Sequence, residues 1–159
     1  MTVGVLYQYF RVRDDEAAVA LMVMTGGGPV VQHGDESVVD AIDAKGIDPP
    51  SLLGQLVAVA ANVEWTVELI EEELIWQIGL REDPEYEGPW VSRLGDPARD
   101  TLAAIAEESI DNLATEWAAQ AESWGGAGAD VLRPLVADLM GLARRAGEAG
   151  EHLYCWSCL

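Results

Sequence analysis

The clearest periodic pattern along the chain lies between residues 130 and 146. Its apolar residues recur at spacings of three and four, which places them on one broad stripe of a helix with 3.6 residues per turn. The stripe consists of Val131, Leu132, Leu135, Val136, Leu139, Met140, Leu142 and Ala143. This pattern predicts an amphipathic helix that packs against a partner surface and is interrupted by Gly147 and Gly150.

Two segments at opposite ends of the chain have the character of buried strands. Residues 151–159 are rich in large apolar and aromatic side chains at consecutive positions, which is typical of a strand covered on both faces. Residues 3–10, Val-Gly-Val-Leu-Tyr-Gln-Tyr-Phe, have a similar β-branched and aromatic composition. We therefore expect a first strand and a last strand that lie beside each other in one sheet.

Aspartates mark the expected starts of three further helices. Asp14 or Asp15 begins a helix that runs to about Met22. The pairs Asp48-Pro49 and Asp96-Pro97 each combine an N-cap residue with a proline in the first helical turn. Each pair is followed by apolar residues at helical spacing, so each is predicted to open a helix that contributes to the core.

The remaining segments complete the expected fold. Residues 110–124 continue at helical spacing and bring Trp117 onto an apolar stripe, and residues 66–73 are expected to form a short helix. Short strands are expected at residues 74–78 and 90–92. The sequence thus predicts a single α+β domain over residues 1–159, in which about five helices pack on a small mixed sheet.

The charge of the chain limits its partners. There are 28 Asp and Glu residues against nine Lys and Arg residues, which gives a formal charge of −19. This charge repels phosphate backbones, so we expect no direct binding of nucleic acid. Basic proteins are attracted instead, although an acidic surface also serves solubility alone.

The hydrophobic runs of the chain predict a cytoplasmic protein without membrane association. No apolar run approaches the roughly 18–20 residues that cross a bilayer. The first residues, Met-Thr-Val-Gly-Val, lack the basic segment and the long apolar segment of a secretory signal.

An acidic loop before the strand at residues 90–92 is the expected contact surface for a basic partner. Residues 81–89 contain two prolines and a glycine, which favours an exposed loop. Tyr86 and the partly exposed Trp90 are the predicted aromatic anchors. The surrounding carboxylates, expected to speed association, are Glu82, Asp83, Glu85 and Glu87.

The last strand contains the motif His152-x-x-Cys155-x-x-Cys158. Zinc binding with His33 as a fourth ligand and dithiol redox chemistry are two interpretations of it. However, His152 and Cys158 face one side of an extended strand and Cys155 faces the other, and no helix can follow Cys158 to lower the pKa of a thiol. We expect two buried free thiols, no metal site and no cofactor.

A second candidate site is a small-molecule pocket between the helices and the sheet. Pockets of this kind combine apolar walls with a few polar groups. Trp65 and Trp76 would supply the walls, and Glu68 and Glu72 the carboxylates. The commoner explanation of the glutamates between residues 64 and 73 is a solvated helix face.

Four local strings together carry a resemblance to a known family: the strand at residues 3–10, the Asp-Ala-Ile-Asp-Ala-Lys string at residues 40–45, the Arg-Leu-Gly-Asp-Pro string at residues 93–97, and Ala-Arg-Arg-Ala at residues 143–146. They resemble the YfbM-like domain-of-unknown-function family of bacterial cytoplasmic proteins. In the family the lysine is usually followed by tryptophan and histidine, whereas Gly46-Ile47-Asp48 follows it here. The resemblance implies an α+β fold and no established activity.

These observations favour a non-enzymatic interaction protein that binds a basic protein partner, such as an immunity or antitoxin-like factor or a regulator. The charge, the acidic loop and the lack of a convincing nucleophile–base pair support this interpretation. The alternative is a small-molecule-binding protein or enzyme that uses the pocket of tryptophans and glutamates.

Overall fold

The computed structural model describes residues 5–31, 39–77, 83–86, 88–122 and 128–159. Within these ranges lie the strands β1 (Leu6–Val12), β2 (Ala41–Asp43), β3 (Glu73–Trp76), β4 (Trp90–Arg93) and β5 (His152–Cys158). The predicted first and last strands are confirmed, and so are the two short strands between them. The three-residue strand β2 was not predicted.

Five α-helices lie in the same described ranges: α1 (Asp15–Thr25), α2 (Gly54–Ala61), α3 (Asp96–Ala103), α4 (Ile110–Ala121) and α5 (Ala129–Ala149). A π-helical turn, Pro49–Leu53, runs directly into α2. The Asp14 carboxylate caps α1 by accepting a 2.9 Å bond from the Ala17 N–H, as expected for an N-cap residue. None of these helices is long and apolar enough to cross a membrane.

The sheet has the strand order β2-β1-β5-β4-β3, and all four pairings are antiparallel. The predicted α+β class and the adjacent terminal strands are confirmed, with Leu6 opposite Cys158 and Val12 opposite His152. The expectation of a mixed sheet was wrong. Burial on both faces suggested parallel pairing, but here helices cover both faces of an antiparallel sheet.

Two apolar clusters hold these layers together, one on each face of the sheet. Leu153 and Cys155 of β5 face a layer made by α2, α3, α4 and α5. Tyr154 and Trp156 face the opposite side, where α1 packs and where the Tyr154 ring stacks on Phe10 at a centroid distance of 5.5 Å. The central strand β5 is therefore buried on both faces, as its sequence predicted.

The short helix predicted at residues 66–73 does not form. Residues 67–70 make a turn, Glu71 has a left-handed φ of 55°, and Glu73 begins β3. The cause is tertiary: the Ile70 side chain is buried, and its carbonyl oxygen accepts a 2.9 Å bond from the Gly95 N–H. These contacts outweigh the local preference of the glutamates for a helix.

An ion-pair network ties β1 to α5 and to the segment before β2. The Asp40 carboxylate accepts a 2.6 Å bond from Arg11 Nε and another from Arg145 Nε. Arg11 also contacts Glu151. Burial raises the pKa of Asp40, but the hydrogen bonds from Arg145 and Arg11 outweigh it and hold that pKa below its usual value.

Replacing Asp40 with Asn should lower the free energy of unfolding by about 1–2 kcal/mol at pH 7. The folded pKa of Asp40 is below the unfolded value of roughly 3.9, so its stabilisation is present above that value and is lost as the pH falls through the folded pKa. Urea unfolding at pH 7, 5 and 3 should therefore show a difference between parent and variant that shrinks at pH 3.

The matched control is Asp43→Asn, which removes an exposed carboxylate from the neighbouring strand. It should change the free energy of unfolding by less than about 0.5 kcal/mol. If Asp40→Asn lowers the free energy of unfolding by the same amount at pH 3 and at pH 7, the role assigned to the ion-pair network is contradicted.

Candidate functional site: an acidic cleft

An open cleft of about 1020 Å³ lies at one end of the sheet in the described part of the chain. Seven carboxylates line it, together with one arginine and one histidine. The complete lining is Asp14, Asp15, Glu16, Glu71, Glu72, Glu73, Arg93, Leu94, Gly95, Asp96, Pro97 and His152. We call this feature the acidic cleft.

Four segments that are distant in sequence meet at the acidic cleft. The start of α1 and residues 71–73 at the start of β3 bring six of its carboxylates, and the start of α3 brings Asp96. The last residue of β4, Arg93, and the first residue of β5, His152, provide the basic groups. Two helix N-termini open into the cleft, and their dipoles favour the carboxylates that gather there.

Arg93 neutralises part of this charge. Its guanidinium forms ion pairs with Asp15 and with Glu73 on the two sides of the cleft. Asp15 also accepts a 2.8 Å hydrogen bond from the Tyr154 hydroxyl. Burial alone raises the pKa of Asp15. The hydrogen bonds from Arg93 and Tyr154 lower this pKa by more than burial raises it, so the net shift is downward. Asp15 is thus held as a carboxylate at neutral pH.

Asp96 connects the cleft to α3 and β5. Its Oδ1 lies 2.6 Å from His152 Nδ1 and 3.3 Å from a guanidinium nitrogen of Arg99. Arg99 also donates a 2.8 Å bond to the backbone carbonyl of Glu151. These contacts fix the start of α3 against the start of β5, so Asp96 has a structural role as well as a place in the lining.

A small pocket shares one lining residue with the acidic cleft. It has a volume of about 190 Å³ and is lined by Glu72, Leu74, Trp90 and Ser92. Glu72 lines both this pocket and the cleft. The Ser92 hydroxyl donates a 2.6 Å hydrogen bond to Glu72 Oε2.

The predicted anchor loop lies toward the other end of β4, whose last residue, Arg93, lines the acidic cleft. Asp83 and Glu85 are exposed there, whereas Glu82 and Glu87 lie outside the described residues. The Tyr86 side chain is half-buried and its hydroxyl donates to the Pro89 carbonyl. The anchor roles of these residues stay predictions.

Trp90 is not the partly exposed residue that the sequence suggested. It is only 9% exposed, because β4 is an interior strand between β5 and β3. Its ring also lies against Gly88, where an added Cβ would approach ring carbons to 3.1 Å. Trp90 is therefore a wall of the small pocket rather than a protruding anchor.

The predicted pocket of tryptophans and glutamates is not formed. Trp65 lies against Gly54 on the side of the four-helix layer, where its Nε1–H donates to the Pro50 carbonyl at 2.9 Å. Trp76 packs on the opposite side of the sheet with the apolar cluster of α1. Glu68 is exposed, and only Glu72 lines a cavity described above. The four side chains thus do not converge on one pocket.

The His-x-x-Cys-x-x-Cys motif is spread along β5. His152 and Cys158 occupy the first and last positions of this seven-residue strand, which places them about 20 Å apart. Cys155 faces the other side, and burial raises the pKa of its thiol well above the usual value. Both cysteines are free; Cys155 is buried as expected, whereas Cys158 is half-buried.

This geometry separates the thiols from the histidine. His33, the proposed fourth zinc ligand, lies outside the described residues. Among the residues that are described, no group of three or more His, Cys, Asp or Glu side chains is arranged to hold a metal ion.

The acidic cleft was not predicted from the sequence, although several of its components were recognised as separate local features. They are the start of α1 at Asp14 or Asp15, the glutamates between residues 64 and 73, and the Asp96-Pro97 pair. The missing information was the topology, since Asp15 and Arg93 are 78 residues apart and Asp96 and His152 are 56 apart. The sequence did contain one signal of the cleft, which is the excess of acidic residues at helix starts. Acidic residues at the starts of two helices come close together in space when both helices begin at the same end of a sheet.

Comparisons with protein-family models, curated proteins and solved structures gave no match to this chain. The resemblance to the YfbM-like family therefore stays a prediction.

Proposed function

We propose that this chain is a cytoplasmic, non-enzymatic interaction protein that binds a basic protein partner, as an immunity or antitoxin-like factor or as a regulator. The acidic cleft is the proposed contact surface. The observation that carries the proposal is the collection of seven carboxylates around one open cavity that contains one arginine and one histidine.

Electrostatics give the cleft a preference for positive charge. Concave surfaces lined by one sign of charge concentrate the field and raise the local concentration of oppositely charged groups. The overall charge of −19 adds long-range attraction for a basic partner. The carboxylates of the cleft also repel one another, because like charges are held close together. A bound cation reduces this repulsion energy relative to the free protein.

The shape of the cleft suits a macromolecule. Small-molecule sites are concave, mostly apolar and bury most of their ligand, whereas this cleft is open and its lining is largely charged. A protruding basic segment of a protein can enter such a cleft without being enclosed. The free cysteines Cys155 and Cys158 support a reducing compartment such as the cytoplasm.

Affinity capture from the native lysate tests this function with two variants of equal charge. The cleft variant combines Glu16→Gln, Glu71→Gln and Glu73→Gln, which are exposed cleft residues. The surface variant combines Glu108→Gln, Glu116→Gln and Glu148→Gln, which are exposed residues outside the cleft. Each variant removes three negative charges and leaves the glutamate side-chain length unchanged.

The parent and the surface variant should capture the same basic protein at low salt, and the cleft variant should capture much less of it. Capture should fall at high salt, since screening shortens the range of the attraction to about 3 Å at 1 M ionic strength. Equal capture by the two variants would show that net charge, and not the cleft, attracts the protein. If no basic protein is recovered at low salt by any bait, the proposed function is wrong.

A further inference from the structure

We propose that a pocket among α2, α3 and α4 binds a small uncharged molecule that has an apolar body and a hydroxyl or amide group. This inference goes beyond the proposed function, since the pocket shares no lining residue with the acidic cleft. The pocket has a volume of about 380 Å³ and is lined by eight residues. We call it the helical pocket.

The helical pocket lies where the C-terminal ends of α2 and α3 meet the start of α4. Residues 60–61 end α2, and residues 101–106 include the last turn of α3 and the bend that follows it. Ser109 ends a short 3-10 turn, and Leu113 lies on the first turn of α4. The acidic cleft includes Asp96 at the start of α3, so the two cavities lie toward opposite ends of that helix.

Small side chains leave the space, and an arginine holds one wall in place. Four of the eight lining residues are alanines, where longer apolar side chains would fill the pocket. Arg144 of α5 donates a 3.0 Å bond to the Ala103 carbonyl and a 2.5 Å bond to the Ile105 carbonyl. Carbonyl groups at the end of a helix lack partners within it, and Arg144 supplies them. The wall is therefore formed before a ligand arrives, which lowers the entropy cost of binding.

The composition of the lining favours an uncharged ligand. None of the eight lining residues is charged, so an ion that enters the pocket leaves water without gaining a partner, which is costly. Anions are disfavoured further, because the negative end of the α3 dipole lies beside the pocket and the chain has a charge of −19. Arg144 is already bonded to the two carbonyl groups and lies 3.9 Å from Glu107.

Two hydroxyl groups provide the polar contacts of the pocket. Thr101 and Ser109 are half-buried, and neither hydroxyl makes a hydrogen bond within the described part of the chain. A hydroxyl donates one hydrogen bond and accepts two, so each can pair with a hydroxyl or amide of a ligand. Ile105, which is 5% exposed, and the half-buried Leu113 add apolar surface. Apolar walls with a few polar groups are the usual composition of a small-molecule site.

The volume of the helical pocket limits the size of the ligand. Small-molecule sites have volumes of roughly 300–1,000 Å³, and this pocket, at about 380 Å³, is near the lower limit. An apolar cavity of about 150 Å³ holds one benzene ring. The helical pocket therefore has room for about ten to twelve non-hydrogen atoms, which is the size of a two-ring molecule.

Binding of naphthol, an uncharged two-ring alcohol, tests the proposal. Naphthalenesulfonate, in which an anionic sulfonate replaces the hydroxyl, is the matched anion. Dissociation constants are measured by NMR from the methyl resonances of Ile105 in the parent and in three variants. Ala60→Leu fills the pocket, and Thr101→Val combined with Ser109→Ala removes both hydroxyls. The control, Ala119→Leu, introduces the same side chain at an exposed position of α4 outside the pocket.

The parent should bind naphthol with a dissociation constant below about 1 mM and with a shift of the Ile105 resonances. Naphthalenesulfonate should bind at least about tenfold more weakly. Ala60→Leu should weaken naphthol binding at least about tenfold and should melt no lower than the parent, because it fills a cavity. The variant without the hydroxyls should bind about three- to tenfold more weakly. Ala119→Leu should stay within about twofold of the parent.

Four results would overturn the proposal. The ligand class is wrong if naphthol leaves the Ile105 resonances of the parent unchanged, or if naphthalenesulfonate binds as tightly as naphthol. The location is wrong if Ala60→Leu and Ala119→Leu bind naphthol equally well. If Ala60→Leu does not fold, the variant without the hydroxyls decides, and unchanged naphthol binding by that variant contradicts the proposed polar contacts. All of these results are independent of whether the acidic cleft captures a basic protein.

Discussion

Deletion of residues 155–159 is expected to abolish cooperative unfolding. These residues form most of β5, the central strand, which pairs with β1 on one side and with β4 on the other. The deletion removes the buried Cys155, Trp156 and Ser157 together with the backbone hydrogen bonds that this segment makes to β1 and β4. Loss of one buried tryptophan side chain alone costs about 3–5 kcal/mol. With the lost hydrogen bonds and the other buried side chains added, the total loss is expected to be comparable to the roughly 5–15 kcal/mol that stabilises a typical domain.

Circular dichroism during heating measures this effect. The truncated chain should lose signal gradually, without the sigmoidal transition of a two-state domain. Removal of Leu159 alone is the control, since this residue is 53% exposed and lies outside β5. That variant should melt like the parent. A chain lacking residues 155–159 that melts cooperatively within a few degrees of the parent would contradict the central place of β5.

The parts of the fold that the sequence predicted are those set by local patterns. The stripe of α5 follows from the spacing of its leucines and valines, and Leu132, Val136 and Leu139 are indeed buried. Trp117 is fully buried on α4 as expected, and its Nε1–H donates a 2.7 Å bond to the Leu52 carbonyl. The continuous apolar run of β5 predicted burial on both faces, because no face of such a strand is suited to water.

Strand direction could not be obtained in this way. Residue patterns report which faces of a strand are buried, and burial on both faces occurs whenever helices cover both sides. Pairing direction depends instead on how the connections run between strands. The mixed sheet was expected from burial alone, whereas in the structure β5 pairs antiparallel with both β1 and β4.

Trp90 shows why the candidate site was only partly predictable. Its position beside an acidic loop suggested exposure, but exposure is decided by the neighbours that a strand acquires in the sheet. β4 lies between β5 and β3, so Trp90 is covered. Glu72 illustrates the opposite case: its carboxylate was noted in sequence, and the structure gives it a partner, Ser92, that lies 20 residues away. Neither the burial of Trp90 nor the hydrogen bond from Ser92 to Glu72 can be predicted from the spacing of residues along the sequence.

The second large effect is expected on the rate at which the basic partner associates. The cleft variant, Glu16→Gln with Glu71→Gln and Glu73→Gln, should associate about tenfold more slowly than the parent at low salt. Favourable electrostatic steering raises association rates by roughly 10- to 1,000-fold, and the removed carboxylates belong to the region where the field is concentrated. Dissociation should change less, because exposed rim charges act mainly on association.

The surface variant, Glu108→Gln with Glu116→Gln and Glu148→Gln, controls for the loss of net charge. It lowers the charge of the chain by the same amount but leaves the acidic cleft intact. Its association rate should be within about twofold of the parent, since the three replaced carboxylates lie outside the acidic cleft, where the field is concentrated.

The association rate of the captured partner, measured by stopped-flow fluorescence across a series of salt concentrations, tests the role of the acidic cleft most directly. The cleft should give a steep salt dependence that is shared by the parent and the surface variant, with a flatter dependence for the cleft variant and convergence of all three rates at high salt. Equal slopes and equal rates for the cleft and surface variants would show that the partner does not use the cleft.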